Sequence, residues 1–77
     1  MKEFKFSIPD EVWEHLLITP AAARINAGMT QTDAADRIGI SVGTLAAIEQ
    51  GTTSPTLAVL KRIETAYGRP YAFIRFN

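Results

Sequence analysis

The sequence predicts a mainly α-helical domain, five short helices with one short β-strand at each end. Three observations predict it. Cap residues with a short polar side chain recur just ahead of apolar residues spaced by three and four. Glycines at 28, 39, 51 and 68 each close one such segment. Period-two alternation appears at the two ends, over residues 2–8 and 71–76.

Phe4, Phe6 and Ile8 lie on one face of the first strand, which Pro9 ends. Asp10 caps a short helix carrying Val12, Trp13, Leu16 and Leu17. Thr19 followed by Pro20 opens the second helix, because proline lacks an N–H that the first turn would leave unpaired anyway. Thr30 with Asp33 approximates a capping box, in which the usual partner is Glu or Gln. The helix it opens, over 31–38, puts Ala34, Ala35 and Ile38 on one face. Ser41 caps the next, over 42–49, with Leu45 and Ile48 inward. Ser54-Pro55 repeats the cap-plus-proline start, and Leu57, Leu60, Ile63 and Tyr67 follow at helical steps. Pro70 then leads into Tyr-Ala-Phe-Ile-Arg-Phe, the second strand.

Seventy-seven residues make one domain, 1–77, without repeat, linker or low-complexity segment. There is no cysteine, so neither disulfide nor thiolate metal site can staple it. A 47% apolar composition leaves material for a dimer interface. No apolar run is long enough for a membrane span, and no stretch has signal-peptide character, so a cytoplasmic protein is expected. Eight Lys/Arg balance eight Asp/Glu. Between Met29 and Gly51, Arg37 stands against Asp33, Asp36 and Glu49, which argues against strong non-specific binding to a polyanion. His15 reads as a surface or packing residue and Trp13 as a core anchor. Ser7, Ser41 and Ser54 are explained by turns or caps. No phosphate-cradling loop or metal-ligand spacing occurs, so neither enzyme activity nor a cofactor is expected.

The informative unit is "MTQTDAADRIGISVGTLAAIEQG", residues 29–51. Its two helices of about eight residues, joined at Gly39-Ile40-Ser41, form a tight helix-turn-helix. Small Ala34 and Ala35 permit close approach of the second helix, and Ile40 can plug the turn. From Ala23 to Gly68 the chain resembles the phage-repressor and Cro family of helix-turn-helix domains, also called the xenobiotic-response-element family. The resemblance rests on an ordered pattern: Arg, then Thr-Gln, Ala, Gly-Ile-Ser, Thr-Leu, Ile-Glu-x-Gly, Pro and a last amphipathic helix. It implies a five-helix lambda-repressor-like domain with its family core over 20–68.

The resemblance also implies roles. The chain would bind a double-stranded DNA operator as a homodimer and act as a repressor. Val42, Gly43, Thr44, Ala46 and Ala47 would face base edges. Thr30, Gln31, Ser41, Thr52, Thr53, Ser54 and Thr56 would contact phosphates, helped by amides at helix N-termini. Arg24 and Glu49 occupy positions that pair in this family. Arg24, Arg37, Lys61 and Arg62 are candidates for the basic share. The base-reading set departs from expectation, since none of its side chains can make a bidentate contact with G or A. Gly43 weakens its helix by about 1 kcal/mol relative to Ala, which points to close approach of DNA or of a protein. The competing reading is a protein-interaction module, an antitoxin or antiactivator with weak or no DNA binding. Phe4, Phe6 and Ile8, with Phe73, Ile74 and Phe76, would form strands that build the dimer. The alternative is that those strands pair within one chain.

Overall fold

The structure is a computed structural model that describes residues 17–76. The strand expected over 2–8, the helix opened by Asp10, and with them Phe4, Phe6 and Ile8, lie outside the described residues. The described chain forms four α-helices, α1 (Pro20–Asn26), α2 (Gln31–Ile38), α3 (Val42–Gln50) and α4 (Leu57–Tyr67), then a 3-10 turn at Tyr71–Phe73.

Local chemistry sets each boundary. The Thr19 hydroxyl accepts from the Ala22 amide at 3.1 Å, and Pro20 takes the first position of α1. The capping box of α2 closes with aspartate: Asp33 N–H donates to Thr30 Oγ1 at 3.1 Å, and Thr30 N–H donates to Asp33 Oδ2 at 3.3 Å. Ser41 Oγ accepts from the Thr44 amide at 3.0 Å and opens α3. At Gly39 the backbone is left-handed (φ 82°), which brings the Gly39 and Ile40 amides back onto Ala35 O at 2.8 and 3.0 Å. A side chain there would be strained, so glycine makes the sharp turn of the motif.

Two expectations are corrected. The last helix begins at Thr56, whose Oγ1 accepts from the Val59 amide at 3.2 Å, and not at Ser54-Pro55. Pro55 biases Ser54 away from helical backbone, so both remain in the connecting loop. The strand over 71–76 does not form. Pro70, with φ −55°, turns the chain, and the amides of Phe73 and Ile74 close onto Pro70 O and Tyr71 O at 2.9 and 3.0 Å. The Tyr71 amide is taken by Glu64 Oε2 at 2.9 Å. Those donors are thereby unavailable to a sheet partner. What remains is a single parallel bridge between Ile18 and Ile74, made by Ile18 N–H to Phe73 O (3.2 Å) and Arg75 N–H to Ile18 O (2.8 Å).

The core explains the packing. Ala34 and Ala35 are buried, which lets α3 and α4 approach α2 closely. Ile38, Leu45 and Ile63 fill the space between the three helices, flanked by Ala23, Tyr67 and Ile74. Ile74 is only 4% exposed, so it completes its own chain's core, and Phe76 packs half-buried against it. Among the described residues no helix is long and apolar enough to cross a membrane.

Candidate nucleic-acid interface

The core fixes which side of α3 faces outward. Leu45 and Ile48 point inward, leaving Val42 (41% exposed), Gly43 and Thr44 exposed and Ala46 and Ala47 half-buried. Ser41 Oγ donates to Thr44 Oγ1 at 2.8 Å, so the Thr44 hydroxyl keeps its own proton for an outside acceptor. A Cβ on Gly43 would come no nearer than 4.0 Å to any other group, Ser41 Oγ being the neighbour. Nothing among the described residues therefore requires glycine at 43. Gln50, seven residues beyond Gly43, shares the outward stripe and is exposed. A sequence reading that stops the face at Ala47 misses it, although the seven-residue spacing is visible in the sequence.

The other end of α3 is held by one carboxylate. Arg24 Nε donates to Glu49 Oε2 at 2.7 Å, and Arg24 Nη2 to Glu49 Oε1 at 3.4 Å. Gln31 Nε2 donates to the same Oε1 at 2.9 Å. Arg24 Nη1 also reaches Met29 O at 3.0 Å, tying down the chain between α1 and α2. The Arg24 and Glu49 side chains are 13% and 7% exposed, so this ion pair is shielded from solvent, unlike a surface pair. Gln31 spends one amide hydrogen on Glu49. Its second hydrogen and its carbonyl oxygen have no hydrogen-bond partner among the described residues.

Tyr67 lies against the same cluster. Its buried hydroxyl has no hydrogen-bond partner among the described residues. Burial is the main cause that pushes its pKa up to about 12, with the Glu49 charge adding and the Arg24 charge opposing.

The hydroxyl edges are partly occupied. Thr52 Oγ1 donates to Ala47 O at 3.2 Å and Thr56 caps α4, whereas Thr53 and Ser54 are exposed in the loop. At the start of α2, the Asp33 carboxylate already sits on the positive end of the helix, which lowers the affinity of that end for an anion. The basic candidates separate likewise. Arg24 is neutralised by Glu49, and Arg62 Nη1 donates to Ile38 O at 3.0 Å, a role with no signal in the local sequence. Arg37 and Lys61 are exposed. Among the described residues no group of three His, Cys, Asp or Glu could hold a metal ion.

Residues 21–74 match the family model described as helix-turn-helix. The chain is 41% identical over 44 residues to a protein of Methanothermobacter thermautotrophicus named as an uncharacterized HTH-type transcriptional regulator. That match covers 57% of this chain and 64% of the relative, so the chain spans somewhat less than two thirds of the relative's length. No solved structure matches. With both motif helices, the glycine turn between them and the Arg24–Glu49 pair lying inside the matched span, the chain belongs to the helix-turn-helix family, of the phage-repressor-like kind.

Proposed function

We propose that this protein is a DNA-binding transcriptional regulator that dimerises and represses by occupying an operator. The observation that carries the reading is the outward stripe of α3, free of charged side chains and held at its far end by the Arg24–Glu49–Gln31 cluster. In this reading α3 lies in the major groove. Methyls of Val42, Thr44, Ala46 and Ala47 meet thymine methyls, and the Thr44 hydroxyl donates to one base edge. Gly43 lets the backbone approach. Gln31, Thr30, Ser41 and the loop hydroxyls at 53 and 54 position the domain on phosphates, and DNA shape supplies further discrimination. Two such domains would set their reading helices about 34 Å apart, on successive grooves of one DNA face. The dimer surface is left to parts other than Ile74, which the core already uses.

A second reading draws on a different observation. Val42 and Leu57 are large exposed apolar side chains, as a protein-interaction module would present. Gel shifts on the DNA upstream of the protein's own gene, at low and moderate salt, separate the two when run beside sedimentation of the protein alone and with that DNA. The DNA reading expects a salt-sensitive, sequence-preferring shift by a dimer. A protein that shifts no duplex at low salt would return the second reading to first place.

A further inference from the structure

Arg62 lies outside the helix-turn-helix unit, yet it touches the unit at its most sensitive point. Its Nη1 donates to the carbonyl of Ile38, the last residue of α2, at 3.0 Å across 24 positions of sequence. A Cβ on Gly39 would come to 3.2 Å of that same Nη1, so the guanidinium is packed against the turn as well as bonded beside it. The charge is well placed, because the C-terminal carbonyls of a helix carry partial negative charge and lack intrahelical donors. The neighbouring Ile63 is fully buried among α2, α3 and α4, which anchors the base of the Arg62 side chain.

We infer that Arg62 is a positioning residue for the interface: its guanidinium, bonded to Ile38 O against Gly39, locks α4 to the turn. The inference rests on the DNA reading only for its consequence. The α2 N-terminus and the loop leading into α4 are the two proposed phosphate-contacting edges, and this bond ties their helices together. Without it the turn gains freedom, and the spacing between the edges is no longer fixed. Affinity for every duplex then falls together, since phosphate contacts position the domain without reading sequence. The same bond gives Arg62, a candidate for the basic share, a task inside the fold.

The test is amide hydrogen exchange of the full chain, which needs no DNA, followed by DNA titration. The reporters are the Gly39 and Ile40 amides, both bonded to Ala35 O at the turn. Arg62→Ala is expected to speed their exchange about tenfold more than that of the Leu45 and Ile63 amides, as loss of a charge-assisted bond implies. Arg62→Lys keeps a donor and a charge near Ile38 O and is expected to restore part of that protection and part of the DNA affinity. Unchanged protection at 39 and 40 in Arg62→Ala, or loss only in step with the core amides, overturns the inference. A wild-type protein that binds no DNA while Arg62→Ala still loosens the turn would overturn the functional reading and leave the lock standing.

Discussion

The two ends of α3 are built on opposite plans. At its C-terminal end, Glu49 collects three donor contacts from Arg24 and Gln31, two helices and 18 to 25 residues away. At its N-terminal end, Val42, Gly43 and Thr44 stand exposed, and the Thr44 side chain accepts from the neighbouring cap Ser41. Precision and recognition are thus separated along one helix. A shielded, fully partnered carboxylate tolerates little displacement, so it fixes the pose of the helix. Beyond the cap bonds to Ser41, the small groups at the other end tie α3 to no other helix among the described residues and are open to an outside surface.

The largest effect is expected at the ion pair. Arg24→Ala leaves the Glu49 carboxylate shielded with Gln31 as its remaining donor, and a loss of about 3 kcal/mol or more in urea unfolding is expected. Replacing Arg24 by Met and Glu49 by Leu together should recover much of that loss, because no uncompensated charge remains. If Arg24→Ala unfolds within about 0.5 kcal/mol of wild type, the pair is no more than a surface contact.

Tyr67 sharpens the same end by pH. Its folded pKa of about 12 exceeds the ordinary value of 10.0, so the folded state disfavours the phenolate. The stability this represents is complete below pH 10 and is lost as pH rises from 10 toward 12, up to about 2–3 kcal/mol in all. Tyr67→Phe should flatten that alkaline loss, and at neutral pH it should be neutral or slightly stabilising because the hydroxyl it removes has no partner among the described residues. Equal alkaline slopes for the two proteins would contradict this placement.

Smaller effects come from the exposed end and its neighbour. Gln31→Ala should weaken binding to all duplexes by a similar factor, through the loss of one phosphate contact and of one bond to Glu49. A change confined to one sequence would assign Gln31 to base reading. Gly43→Ala should raise the urea midpoint, by up to about 1 kcal/mol in stability, since the backbone is helical and the added methyl meets no close neighbour. If the backbone approaches DNA there, operator affinity falls in the same variant. Gained stability with unaltered affinity would show that Gly43 is not at the contact.

Much of this was legible from single residues and short spacings. Thr19, Thr30, Ser41 and the glycines at 39 and 51 act within one turn of themselves, so their cap chemistry reads directly from sequence. The start of α4 was legible only to within two residues, because Ser54 and Thr56 are both good caps and Pro55 decides between them. The C-terminal segment misled because alternation over six residues is satisfied equally by a strand and by a turn that buries Ile74 once. The bonds from Gln31 to Glu49 and from Arg62 to Ile38 span 18 and 24 residues and depend on how helices cross. No local pattern records them. The full extent of the outward stripe, by contrast, was present in the spacing of Gly43 and Gln50.

The most direct test of the central claim, that the outward stripe of α3 reads DNA, is fluorescence-anisotropy titration of wild type and Ala47→Glu against duplexes selected by the wild type from a random pool. Urea unfolding of both proteins serves as the control. The expected result is a selected site with two half-sites about one helical turn apart. Ala47→Glu is expected to lose binding to that site while its unfolding midpoint stays close to wild type. Ala47→Glu binding the selected site as tightly as wild type, with its fold intact, would contradict the claim.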